Sequence, residues 1–354
     1  MIFDGKRILI TGGTGSLGKT LTRRLLDGSL GKPNKIVIFS RDEAKQHLMR
    51  MFYKNRKFAT DEIIYHNFDQ LVEFRIGDVR NFPSIASALR DIDIVFNAAA
   101  LKQVPTCEYF PYEAVMTNVL GPNNIVRAIS EYCLPVETVV GISTDKACKP
   151  VNVMGMTKAI QERVFIQANM SCPKTRFICA RYGNVLASRG SVIPLFREQI
   201  LSGGPVTITT ADMTRFLLSL DKAVDTVFAA VSCAKRGETY IPRVSSANIM
   251  DIADALIGDR KISKKIIGIR PGEKVHEILI SEEECHRVIA RGEYYAIMPI
   301  IPELKEETKE GSAVLTKEYS SADIVVSPEE TKNLLQINNL MMDSSHVYVD
   351  EVLR

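Results

Sequence analysis

The seven cysteines of this chain (Cys107, Cys133, Cys148, Cys172, Cys179, Cys233 and Cys285) contain no Cys-x-x-Cys pair, and their number is odd. That argues against a disulfide framework or a cysteine-built zinc site and fits scattered reduced thiols. The five histidines, His47, His66, His276, His286 and His346, show no metal-ligand spacing, so no metal is expected. No apolar run reaches membrane-spanning length. A formal net charge of +3 is too small to argue for nucleic acid or an anionic membrane as a partner. The first apolar run begins almost at once, which leaves no room for a secretory leader, and a cytoplasmic protein is expected.

What is present is an ordinary globular composition, 45% hydrophobic and 25% charged over 354 residues, enough for one two-lobed unit or two domains. Short, continuous, β-branched runs recur at Lys6–Thr11, Lys35–Ser40, Val72–Gly77, Ile92–Ala98, Glu137–Ser143 and Thr175–Arg181. They read as strands buried on both faces. Helical patterns alternate with them over Ser16–Gly28, Asp42–Asn55, Pro83–Leu89, Glu113–Tyr132 and Val153–Ala168. This rhythm predicts an α/β fold with a parallel, doubly wound (Rossmann) sheet. After about Asn184 the elements shorten. We expect residues 1–183 to form a dinucleotide-binding domain, and 184–354 a smaller mixed α/β substrate lobe with some segments returning to the main sheet. The charged stretch Glu303–Gly311 reads as an exposed loop or short helix.

The run Thr11-Gly12-Gly13-Thr14-Gly15-Ser16-Leu17-Gly18 follows the first predicted strand and opens the first predicted helix. Gly12, Gly15 and Gly18 permit a tight turn and close approach of backbone to a pyrophosphate at the positive end of the helix. The second strand ends in Ser40-Arg41-Asp42. A serine stands where NAD enzymes place an acid, while Arg41, with Lys45 one turn on, suits a ribose 2′-phosphate. The cofactor expected is therefore NADP. Asp78 and Val79 end the third strand, where Asp78 is placed to meet the adenine amino group. The small residues Ala98, Ala99 and Ala100 end the fourth and let the backbone pass close to the cofactor.

The fifth strand runs into Ser143-Thr144-Asp145-Lys146, at the carboxyl edge where open α/β sheets bind ligands. Met154 and Lys158 lie four apart, on one face of the next helix. Lys158 is where the lysine of a Tyr-x-x-x-Lys pair would sit, able to hold the nicotinamide ribose, but Met154 takes the tyrosine position. A thioether cannot exchange a proton as a phenol does, so more of the acid–base work falls to Asp145, Lys146 and Thr144.

These segments, with Ala99–Pro105, Thr117-Asn118-Val119-Leu120-Gly121, Arg181–Val185, Met213–Phe216 and Arg270–Lys274, resemble an extended short-chain dehydrogenase/reductase. More narrowly the chain resembles the inverting UDP-N-acetylglucosamine 4,6-dehydratases of capsule and flagellin-sugar synthesis, over nearly its whole length. The methionine resembles the capsule branch of that group. The resemblance implies C4 oxidation with NADP⁺, loss of water across C5 and C6, and return of hydride to C6. Asp145 is then the acid at the C6 oxygen and Lys146 the base at C5. A lysine base needs its pKa lowered by roughly 3 units; the neighbouring carboxylate pushes the other way, with desolvation by substrate, Lys158 and the cofactor's charge as the influences expected to offset it. The acceptor of the O4 proton stays open among Asp145, Lys146 and a water, with Thr144 a hydrogen-bond partner.

The resemblance adds Asn118 to the cofactor residues. For a UDP-sugar it implies Lys102, Asn184, Arg189, Val192, Thr209, Arg215, Arg270 and Glu273, the arginines for the diphosphate and Glu273 for the uridine ribose. It implies a homo-oligomer as well, paired through the two long helices or assembled as a hexamer. Two other readings stand beside it: a UDP-sugar 4-epimerase, which shares the fold but needs no acid–base pair at C5 and C6, and a catalytically silent NADP(H)-binding protein.

Overall fold

A computed structural model describes residues 1–55, 68–186, 191–270, 272–305 and 313–342. Its centre is a sheet whose strands alternate their side chains between two cores. On β1 (Arg7–Thr11), Ile8 and Ile10 enter one core and Leu9 the other. The same division holds on β2 (Lys35–Ser40), with Ile36 and Ile38 against Val37 and Phe39. With both faces covered, every strand position gains from being apolar, which is why these runs are continuous rather than alternating.

Strands β3 (Val72–Ile76), β4 (Ile94–Asn97), β5 (Thr138–Thr144) and β6 (Arg176–Tyr182) complete the parallel order 3-2-1-4-5-6. Two short strands of the second half follow in the chain, β7 (Val206–Ile208) and β8 (Thr214–Phe216). Beyond β6, the parallel strand β9 (Thr239–Pro242) extends the main sheet. An antiparallel hairpin, Val288–Arg291 with Tyr294–Ile297, closes that edge. The doubly wound fold expected from the sequence is the fold observed.

One face is covered by the helices Ser16–Leu26 and Leu220–Cys233, the other by Phe82–Ala88, Gly121–Glu131 and Val153–Ser171. A third core, around Phe196, Ile208, Ile252, Leu256 and Leu335, lies wholly within the second half of the chain. The charged stretch after Pro302 begins as a single 3₁₀ turn, Pro302–Leu304, and continues outside the described residues. No helix among the described residues is long and apolar enough to cross a membrane.

The helix expected over Glu113–Tyr132 is interrupted. An α-helical turn at Pro111–Val115 passes into a π-helical turn, Met116–Leu120, and only then into Gly121–Glu131. Pro122 explains the break: it has no N–H to donate, and its ring crowds the carbonyl one turn back. Periodicity alone did not show it.

The two halves are joined by a buried ionic knot. Arg181, on β6, makes paired bonds to Glu162 (2.9 and 2.6 Å) and to Glu284 (2.7 and 2.9 Å), and a fifth to the Leu279 carbonyl. Burial pushes the Glu284 carboxyl up, but Arg181 more than reverses this and holds it at about 2. That contribution is fully present above the ordinary carboxylate range near 4.5 and is lost as pH falls toward about 2. Replacing Arg181 by Met leaves two buried carboxylates unpaired. Urea unfolding of Arg181→Met is expected to show a loss of roughly 3–5 kcal/mol, partly recovered by adding Glu284→Gln. A loss near zero would mean the knot does not hold the halves together.

Candidate active site

The parallel strands end along one edge, and a cleft of about 1170 Å³ opens there between that edge and the second half of the chain. Its floor begins with the glycine turn. Gly12 has φ +66°, and a Cβ on it would stand 2.8 Å from the Ala99 backbone. A Cβ on Gly18 would stand 2.5 Å from Gly13. The helix Ser16–Leu26 starts at Gly15 with no side-chain cap, so its first N–H groups are left for a ligand. Thr14, Gly15, Ser16, Leu17, Ser40, Arg41, Asp42, Lys45, Asp78, Val79 and Ala98–Ala100 all line the cleft.

Two residues expected at the cofactor lie behind this wall. The Thr11 hydroxyl is fully buried, donates to Asn97 (2.8 Å) and accepts from the Ala99 N–H (3.2 Å). Asn118, on the π-turn, is fully buried as well. Its oxygen accepts from the Leu101 N–H, and its amide donates to the Leu101 carbonyl and the Thr157 hydroxyl. Both brace the strand-end loop rather than face the cleft. Arg41 is exposed, 3.7 Å from Asp78, which is otherwise bound by Arg80. Lys45 pairs with Asp42 at 2.7 Å. The Ser40 hydroxyl accepts from Gln46.

The segment after β5 is a 3₁₀ turn, Asp145–Ala147, packed on the start of the Val153–Ser171 helix. Gly155 makes that packing possible, since a Cβ there would fall 2.2 Å from the Lys146 carbonyl oxygen. The Lys146 amine donates to Asp145 Oδ1 (3.2 Å) and Asn184 Oδ1 (3.0 Å) and forms an ion pair with Glu277 Oε1 at 3.3 Å. Thr144 donates to Asp145 Oδ1 at 2.7 Å. Asp145 is fully buried, and Thr144 and Lys146 stand at the cleft wall.

Burial disfavours the Lys146 ammonium, but Asp145 and Glu277 outweigh it, and the pKa is raised. The carboxylate beside the amine pushes in the direction expected, joined by a second that the sequence did not show. The positive neighbour working to lower it is Arg215. Burial pushes the Asp145 carboxyl up, Lys146 pulls it down, Glu277 adds to the rise, and the net direction is up.

Met154 is buried among Cys107, Ala114, Leu101 and Val104 and lines the cleft beside Lys158. The Lys158 amine donates to the Ile142 carbonyl (2.8 Å) and to Gln161 (2.9 Å). It is thus tied to β5 and to its own helix.

Lys102, Asn184, Val192, Thr209, Arg215, Arg270 and Glu273 line the same cleft. Arg189 lies outside the described residues. Thr209 donates to Glu273 at 3.3 Å, and Arg270 is exposed at the mouth. The Arg215 guanidinium is anchored on the carbonyls of Thr214, Lys274 and Val275. Sequence reasoning missed Glu277 and Gln161. Gln161 was readable, three residues from Lys158 on the same helix. Glu277 carries no motif and reaches Lys146 only through the fold.

A Rossmann sheet, a glycine cradle and an Asp-Lys pair beside the Met154–Lys158 face define an extended short-chain dehydrogenase/reductase. The family model described as "Polysaccharide biosynthesis protein" matches residues 8–299, and the chain belongs to that family. It is 43% identical over 310 residues, 87% of each chain, to a Campylobacter jejuni protein named UDP-N-acetylglucosamine 4,6-dehydratase (inverting). It is 46% identical over 301 residues, 84% of each chain, to a Rickettsia bellii protein named UDP-glucose 4-epimerase. The solved structure of Pen from Bacillus thuringiensis superposes with TM-score 0.85 at 33% identity, covering 96% of this chain and 100% of that one.

Burial alone pulls the Lys158 ammonium down to about 8 against 10.5 for ordinary lysine, its acidic neighbours being too weak to offset it. The folded state is penalised for the charged form, so that penalty is relieved as pH rises from about 8 toward 10.5. Relative to Lys158→Met, the cofactor-free wild type is expected to gain unfolding free energy across that interval. A pH-independent difference in urea melts would contradict the assignment.

Proposed function

We propose that this chain is an NADP-dependent UDP-N-acetylglucosamine 4,6-dehydratase that inverts C5, serving synthesis of a cell-surface polysaccharide or glycan sugar in the cytoplasm. The observation that carries the reading is the Asp145–Lys146 pair, Lys146 at the cleft wall and Asp145 buried behind it, with Met154 in the tyrosine position. Chemistry at C5 and C6 needs an acid and a base there, whereas C4 epimerisation does not. The name of the Campylobacter relative supports the reading.

The glycine cradle and the uncapped helix start fit a dinucleotide, with Arg41 and Lys45 toward a 2′-phosphate. A nicotinamide held there would supply the hydride chemistry, acceptance from C4 and return to C6. Residues 1–183 then hold the cofactor and 184–354 most of the sugar nucleotide. Arg215 and Arg270 serve the diphosphate, Glu273 and Thr209 the uridine. The family habit further suggests a homo-oligomer, and Met156 and Ile160 are exposed on the Val153–Ser171 helix.

The residues supply a complete proton circuit. The O4 proton passes to the Thr144 hydroxyl, whose own proton moves to Asp145 Oδ1, along the 2.7 Å bond. Burial favours the neutral carboxyl thus formed. Neutral Asp145 no longer stabilises the Lys146 ammonium, which gives up one proton to the remaining carboxylate beside it, and the amine so freed can act as a base. Lys146 takes H5, the C5–H electrons form the C5=C6 bond, and the C6–O bond breaks as Asp145 returns its proton through the Thr144 hydroxyl to the departing oxygen. Lys146 then protonates C5 from its opposite face, which inverts it.

The second reading, a UDP-sugar 4-epimerase, draws on the name of the Rickettsia relative. Incubation with UDP-N-acetylglucosamine in deuterated water separates the two. A 4-keto-6-deoxy product with deuterium at an inverted C5 is expected by NMR. A C4 epimer with its 6-hydroxyl intact would establish the epimerase, and an unchanged sugar beside bound NADP a silent binder. Asp145→Asn and Lys146→Ala are each expected to abolish water loss, and full activity in either would sink the assigned roles. Arg41→Ala is expected to weaken NADP binding at least about tenfold while leaving NAD within about twofold, read by calorimetry.

A further inference from the structure

Glu277 is a second carboxylate on the Lys146 amine. It is 3% exposed, and its Oε1 lies 3.3 Å from Lys146 Nζ and 3.8 Å from Arg215 Nε. Its Oε2 is buried with no hydrogen-bond partner among the described residues. The backbone around it is rigid. The Glu277 N–H donates to the Ser321 hydroxyl (2.9 Å), the Ser321 N–H donates to the Glu277 carbonyl (2.8 Å), and Ser321 is bonded to Thr214 (2.7 Å). A buried carboxylate with one idle oxygen is costly unless it has work to do. The rigid mount argues that this carboxylate is aimed at the amine rather than settled on it by chance.

We propose that Glu277 is the positioning residue of the elimination step, holding the Lys146 amine at the cleft wall and taking its surplus proton so that the amine can act at C5. This rests on the dehydratase reading. The step balances: a Lys146 N–H bond breaks, a Glu277 O–H bond forms, and an ion pair becomes a neutral pair. The freed lone pair accepts H5. After Lys146 has protonated C5, Glu277 returns the proton to it. The neutral pair gains favour as substrate excludes water and as Asp145 becomes neutral. The charged groups around the amine are Asp145, Glu277 and Arg215, with Lys274 acting on Glu277. Burial raises the Glu277 pKa, but Lys146, Arg215 and Lys274 together hold it low, so Glu277 starts as the carboxylate the step requires.

Glu277→Gln keeps an acceptor for Lys146 but cannot take a proton. In wild type, turnover should be nearly flat with pH across the neutral range. In Glu277→Gln, kcat for water loss is expected to fall about 10²-fold near neutrality and to climb as pH rises, because Lys146 must now lose its proton to solvent. KM for the UDP-sugar should stay within about twofold. Rapid C4 oxidation, seen as reduced-nicotinamide absorbance, should persist while deuterium entry at C5 slows. Glu277→Asp should restore the flat profile at reduced rate. Wild-type kcat with a flat profile in Glu277→Gln, or a change confined to KM, would overturn the proposal.

A second measurement does not depend on turnover. With lysine labelled at Cε and the signal assigned by its loss in Lys146→Arg, the Lys146 titration midpoint in the NADP-loaded protein should fall by about one unit in Glu277→Gln. An unchanged midpoint would overturn the contact. Wild-type product in the same assay shows separately whether the dehydratase reading stands.

Discussion

The double fork of Arg181 is the interaction on which the rest of the site depends. One guanidinium on β6 clamps Glu162 of the Val153–Ser171 helix and Glu284 of the later chain, and Glu162 also accepts from Ser143 at the end of β5. The strand that leads into Thr144 and Asp145, the helix that carries Met154 and Lys158, and the segment that follows Glu277 therefore share one buried charge. Such a knot is a poor source of net stability, because desolvating three ions costs about as much as their attraction returns. Its value is geometric. Fork bonds tolerate little rotation, so three elements from distant parts of the chain are held in register at the cleft.

That register explains the electrostatics of the acid–base pair. Asp145 and Lys146 alone would form a simple ion pair at a strand end. The fold adds a second carboxylate, Glu277, and a second cation, Arg215, and buries both carboxylates. In that setting a proton moved at one member changes the proton affinity of the others. On the proposed dehydratase reading, this group does the acid and base work without a tyrosine, and the buried thioether of Met154 is part of the apolar wall.

Much of this was legible beforehand, for physical reasons. The β-branched runs, the glycine turn and the Asp-Lys pair are local patterns, each imposed by the geometry of a few consecutive residues. Gly12 must be glycine because its turn has a positive φ and the Ala99 backbone lies against it. The π-turn at Met116–Leu120 was less legible, since a single proline reset a ladder whose apolar spacing still read as continuous helix. Thr11 and Asn118 sit beside cofactor-facing positions in sequence and yet point into the wall, because side-chain direction at a strand end is set by what packs behind it.

By itself the sequence determined the fold class, the position of the glycine cradle and the residue types available for acid–base work. These follow from short-range periodicity and from the chemistry of neighbouring residues. Only the tertiary structure decided which charged groups meet. Glu277 stands 131 positions beyond Lys146 in the chain, yet lies 3.3 Å from its amine. The direction of the Lys146 pKa followed from that meeting: burial pulled one way, two carboxylates pulled the other, and their distances settled the sign.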